Sequence, residues 1–178
     1  MRRLLIAPLA LLAVGSAGCS TFSRNDTVAS IGDAELTRDD FEDMVDSDLG
    51  RQLVNELEND DRVAGDAARQ VITAWIVSTG VADVSPIDPA ELEAAGSQAE
   101  QSFGAAWTDA PEPLRELVRL NSAIGTLNQS GVIDTEAVRT SIIAADVYVD
   151  PRYGRWDVAS LSVEPLGGAP PPTDLIVS

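Results

Sequence analysis

The chain contains no lysine and no histidine, one cysteine, and eight aromatic residues in 178. Each shortage closes a route. Without histidine the commonest general base and the commonest neutral metal ligand are gone. A single cysteine leaves no pair for a disulfide or a thiolate zinc site. A serine–lysine dyad cannot be built without lysine, and three Trp, two Tyr and three Phe are few for a sugar cleft. Carboxylate chemistry stays open, since two acids set across a cleft can hydrolyse a glycoside. With twenty-nine acids, however, pairs arise by chance, and no feature of the sequence raises the pKa of one of them. The expectation is a protein that is not an enzyme and carries no cofactor.

Long apolar runs are also missing, with one short exception at the start. Arg2 and Arg3 precede an uninterrupted apolar stretch, Leu4 to Val14, of eleven residues. A spanning helix needs roughly 20, and Pro8 interrupts this one. Gly15-Ser16-Ala17-Gly18 then leads to Cys19. A positive start, a short apolar core and small residues before a cut are the marks of an export signal. A cysteine directly after the cut is where bacterial lipoproteins receive lipid. Residues 1–18 therefore read as a lipoprotein signal peptide, Cys19 as the lipidation site, and the localisation as the extracytoplasmic face of a cell membrane. Ser16 stands where the usual pattern has leucine, which leaves an ordinary secretory signal with an incidental cysteine as the competing reading.

Removal of residues 1–18 leaves 160 residues, the size of one ordinary domain. It also leaves ten arginines against twenty-nine acids, a net charge of −19. A field of that sign repels nucleic acid, whose binders are basic. It offers no polybasic patch to anionic headgroups, so the membrane contact must run through lipid on Cys19.

Residues 19–26 are small and polar, a tether. Thr27-Val28-Ala29-Ser30-Ile31 and Ala34-Glu35-Leu36, joined by Gly32-Asp33, predict a β-hairpin. Thr37 caps a helix that carries Phe41, Met44 and Val45 inward. Gly50 interrupts that helix, and Leu53, Val54 and Leu57 resume it until Asn59-Asp60-Asp61. A helix over about 64–82 has almost no polar face through Val71, Ile72, Ala74, Trp75, Ile76 and Val77. It is either central or presents a face to something else. Asp88-Pro89 opens a helix running through Phe103 to Trp107. Pro111 and Pro113 open the next, with Leu114, Leu117, Val118, Leu120, Ile124 and Leu127 inward, ending at Gly131. Asp134 caps the last, with Val138, Ile142 and Ile143 inward. Val147-Tyr148-Val149 is a strand stopped by Pro151. A turn through Tyr153–Asp157 leads to a second extended piece, Ala159 to Val163. Residues 164–178 form a Pro/Gly-rich tail expected to be disordered. The expected fold is mainly α, five or so helices in a domain over 27–163. A small sheet forms from strands at its two ends.

The stretches TVASIGDAELTRDDFEDMV (27–45) and VYVDPRYGRWD (147–157) resemble the SurA- and PrsA-type foldase lipoproteins and periplasmic chaperones. A strand, a glycine turn, a second strand and a capped helix open the chaperone domain there, and a strand after the last helix returns to the hairpin. The likeness covers about thirty residues. It implies a SurA N-terminal or trigger-factor-like peptide-binding domain that holds unfolded or nascent exported polypeptides. It does not extend to prolyl isomerisation, because the parvulin domain that performs it would need roughly another hundred residues. The alternative is an assembly lipoprotein that binds one dedicated envelope protein.

Met44, Trp75, Phe103 and Trp107 are the residues that could line a groove for apolar client segments, since Met and aromatic surfaces suit promiscuous binding; each could equally be core. The acidic run from Asp39 to Asp48 fails as a calcium loop. Gly50 and Glu56 have the spacing of its positions six and twelve, but positions one, three and five are then Val45, Ser47 and Leu49. Those acids read as a solvated helix face, with no metal site.

Overall fold

The hairpin forms as its residues dictate: β1 (Thr27–Ile31) and β2 (Ala34–Thr37) are antiparallel, with Ser30 opposite Glu35 and Ile31 opposite Ala34. Thr37 ends β2 and starts a helix, its hydroxyl accepting from the Asp40 amide at 3.1 Å and donating to the Asp40 carboxylate at 2.7 Å. The structure, a computed structural model, describes residues 26–58 and 65–167. The expected signal peptide, Cys19, the expected tether up to residue 25, the expected helix break at Asn59-Asp60-Asp61 and the expected tail from residue 168 lie outside the described residues.

Among the described residues there are seven helices and a small antiparallel sheet. The first helical stretch is two helices, α1 (Arg38–Asp46) and α2 (Asp48–Glu58), and the break falls at Ser47, not at Gly50. Ser47 is extended (φ −67°, ψ 158°), donates to the Met44 carbonyl at 2.8 Å and accepts from the Gly50 amide at 3.0 Å, so it ends one helix and caps the other. Gly50 lies inside α2, and it is glycine because a Cβ there would collide with the Met44 carbonyl oxygen.

Helix α3 (Asp66–Val84) packs against β1 and α2, and against three elements that follow it: α6 (Glu112–Gln129), α7 (Thr135–Ala144) and β5 (Ser162–Glu164). Its apolar residues on several sides are explained by this central position. Ile72 and Ile76 are wholly buried, and Gly80 lets α7 approach so closely that a Cβ would sit 2.7 Å from Ile142 Cγ1. Two polar groups are buried with it. Arg69 pairs with Asp66 one turn earlier, and Ser78 donates to Asn121 Oδ1 on α6 at 3.1 Å.

Asp88 caps α4 (Pro89–Phe103), accepting from the Ala90 amide at 2.8 Å. That helix does not continue to Trp107. Gly104 turns the backbone to φ +55°, a conformation costly for any residue with a Cβ, and the single turn α5 (Ala105–Thr108) carries Trp107 separately. Along α6, Leu114 and Leu117 are buried while Val118, Leu120, Ile124 and Leu127 are half-buried. Asp134 caps α7 by accepting from the amides of Glu136 and Ala137. Val138 and Ile142 face inward as expected, but Ile143 is 44% exposed and belongs to the outer side.

Strand β3 (Val147–Val149) returns to β1, pairing Ala29 with Val149 and Ile31 with Val147, so the sheet order is β2-β1-β3. The two ends of the domain thus close in one sheet, as expected, with β1 in its middle. The chain then differs from expectation. The extended pieces are β4 (Arg155–Asp157) and β5, paired as a second hairpin, and Ala159 lies in the turn between them. The Asp157 carboxylate holds that turn by accepting from the Ala159 and Ser160 amides. Glu164, placed with the tail by sequence, is the last residue of β5.

Side chains reinforce the closure. Asp150, directly after β3, is buried and accepts from Arg38 Nη2 at 3.0 Å, from Arg152 Nη2 at 2.6 Å and from the Arg152 amide at 2.9 Å. Its own amide donates to the Val28 carbonyl at 2.8 Å. Burial pushes the Asp150 carboxyl up from its ordinary range, and the Arg38 guanidinium works against that shift. Tyr153 meets Phe41 edge to face at 5.2 Å, and its hydroxyl accepts from Arg38 at 3.4 Å. Burial raises the Tyr153 phenol, opposed by Arg38.

Candidate functional site

Small residues on α4 shape a cleft between α4 and α6. Ala95, Gly96 and Ala99 are buried where α4 meets α6, so the two helices lie close and the larger side chains on either flank stand around a furrow. That furrow has a volume of about 620 Å³ and is bordered by Leu92, Glu93, Gly96, Glu100, Glu116 and Arg119, with Trp107 closing it from α5. A second cleft of about 310 Å³ lies among β2, α3 and α6, bordered by Glu35, Leu36, Asp40, Trp75, Pro113 and Leu117. Glu116 and Leu120 border both. The two clefts therefore adjoin along α6, with Trp75 in one and Trp107 in the other. A third, of about 490 Å³ between α3 and β5, has no aromatic lining, and its Thr73 hydroxyl already accepts from the Val163 amide at 2.9 Å.

The interior of the first cleft is arranged around a guanidinium. Arg119 lies across Gly96, where a Cβ would stand only 3.0 Å from its Nε. Its Cζ is 5.4 Å from the centre of the Trp107 ring, within cation–π range, and its Nη1 donates to Glu112 Oε1 at 2.8 Å. Arg115 donates to the other Glu112 oxygen at 2.6 Å. The hydrogen bond from Arg119 is the main reason the Glu112 carboxyl lies below its usual value, with desolvation opposing and Arg115 adding. Because that pKa is lowered in the folded state, the stability it contributes is present above the ordinary carboxylate range and lost as pH falls through the folded value. Glu112 is more than half exposed, so solvent screening keeps the contribution small.

Of the four residues expected to line a groove, Trp75, half-buried, borders one cleft; Trp107 borders the other but is 5% exposed and belongs to the core. Met44 lies on the inner side of α1, is wholly buried and is a core residue. Phe103 is half-buried against the core and borders neither cleft. Sequence reading missed the carboxylates and Arg119. The available signal was the run EPLREL-VR, which places Glu112, Arg115 and Arg119 on one helical face at spacings of three and seven. Among the described residues no group of three or more acids is placed to hold a metal ion, and no helix is long and apolar enough to cross a membrane.

No family model, no curated protein and no solved structure matches the chain.

Proposed function

We propose that the protein is an extracytoplasmic lipoprotein, anchored to a cell membrane by lipid on Cys19, that binds unfolded or exported polypeptides in the manner of a SurA-like chaperone domain without isomerising prolyl bonds. The observation that carries the binding role is the pair of adjoining open clefts along α6, each with an indole and leucine side chains in its wall. An extended segment presents alternate side chains at intervals of about 7 Å along one face, and two neighbouring clefts on one helix can take such side chains in turn. The excess of acid keeps loaded complexes apart by mutual repulsion. The proposal uses no catalytic group.

Two measurements test it. Purified protein mixed with a denatured model protein should suppress aggregation at near-stoichiometric ratios, for several unrelated clients, and should leave a proline-limited refolding rate unchanged. Acceleration at sub-stoichiometric amounts would overturn the non-enzymatic reading. Suppression for no client, together with co-purification of one envelope protein, would favour the dedicated assembly role. For the anchor, wild-type protein should incorporate labelled fatty acid and fractionate with membranes, whereas Cys19→Ala should accumulate as a longer precursor or in the soluble fraction. Unlabelled wild type of mature length would refute lipidation.

A further inference from the structure

We infer that the α4/α6 cleft selects cationic polypeptide segments, those carrying an arginine or lysine beside apolar residues. The inference rests on the binding role proposed above and names the class of segment bound. Its first support is the seat that Arg119 occupies. An indole under the guanidinium, a glycine that leaves room for it and a carboxylate that accepts from it at 2.8 Å are the elements of a cation site, shown here with a side chain of the protein itself in place.

The second support is charge. Around the same cleft stand Glu93, Glu100 and Glu116, all exposed, and none of them forms an ion pair among the described residues. Among the described residues Arg119 is the only base that borders either cleft, and its charge is already met by Glu112. Where the second cleft begins, Glu116 is followed by Glu35 and Asp40, each engaged by a threonine hydroxyl. An incoming segment therefore meets apolar surface from Leu92, Leu120 and Trp75, rimmed by carboxylates of one sign. A glutamate-bearing segment would be repelled there, and an uncharged one would gain only the apolar contact.

The experiment uses the purified full chain in mild detergent and three labelled decapeptides with the same leucine, valine and phenylalanine positions, whose remaining sites carry three arginines, three glutamines or three glutamates. Fluorescence anisotropy should show the arginine peptide binding at least tenfold tighter than the glutamine peptide, with the glutamate peptide weakest and the difference shrinking in high salt. The triple variant Glu93→Gln/Glu100→Gln/Glu116→Gln should bind the arginine peptide at least fivefold more weakly and so narrow its advantage over the glutamine peptide. A control, Asp43→Asn/Asp83→Asn/Glu136→Gln, removes as many charges away from both clefts and should keep the preference. Equal binding of all three peptides would overturn the inference while leaving the polypeptide-binding role intact. Equal loss in the control would overturn it by assigning the preference to the whole protein's charge. Failure to bind any peptide would overturn it too, and aggregation assays on the same sample would show whether the wider role falls with it.

Discussion

A chain ending at residue 145 is expected to lose its cooperative thermal transition altogether, although all seven helices remain in it. The cut removes β3, and with it Val149, Asp150 and Tyr153, three buried residues that face the first strand and helix. It also removes β5, whose Val163 amide bonds to Thr73 and whose side chain is buried against α3. What remains of the sheet is β1 with β2, and a lone two-stranded hairpin is marginal in water. Val28 and Ala29, which have no exposed surface in the whole domain, would then be uncovered along one edge. Circular dichroism should show a broad, low-amplitude melt, and dye binding should report exposed apolar surface. Removal of residues 168–178 should change stability by no more than about 0.5 kcal/mol, the range of ordinary surface changes. A shorter chain that melts as sharply and as high as the full one would show that the strand pairing does not hold the helices.

Asp150→Ala should cost roughly 3 kcal/mol, because it breaks a buried ion pair and takes away the carboxylate that Arg38 meets there. Arg38 is the charge left behind; its side chain is 17% exposed and Asp150's is 8%. The Arg152 amide loses its acceptor as well. For a domain of this size the midpoint should fall by about 6–12 °C. Two further variants separate the pair from mere truncation. Arg38→Met removes the charge but keeps much of the stem, and combined with Asp150→Ala it should cost clearly less than the sum of the single changes. Arg152, half exposed, should matter far less when replaced. Additive losses would mean that Arg38 and Asp150 act independently and that the contact between them holds nothing.

Local chemistry was legible wherever one or two residues decide the outcome. Thr37, Asp88 and Asp134 cap helices where the sequence places them, because a short side-chain acceptor beside free amides settles the matter locally. The misplaced boundaries have a common cause. Gly50 reads as a breaker, yet its reason for being glycine is the backbone of the preceding helix, a contact that exists only after folding. Gly104 escapes notice because Ala99, Phe103 and Trp107 continue a four-residue spacing straight across it, while its φ of +55° ends the helix. The groove shows the same division. Trp75 and Met44 had equal claims as adaptable apolar side chains, but Met44 is on the inward side of α1, and the packing of the whole core hides it. Which of twenty-nine acids gather around one cleft depends on α4 lying against α6, and that was not to be had from spacing along either helix alone.

The place of β1 in the middle of its sheet also has a consequence in time. Ile31 pairs with Val147, so the strand's second neighbour comes 116 positions after it. Ribosomes add about 5–20 residues each second, so β1 waits on the order of 6–23 s for β3 to be made. Throughout that interval one edge of β1 offers unpaired amides and carbonyls to any extended chain nearby, and Arg38 has no Asp150 to meet. The earliest strand in the domain is therefore its most vulnerable segment during synthesis, and substitutions that weaken β3 or Asp150 should lower the yield of soluble protein by more than their effect on the finished fold.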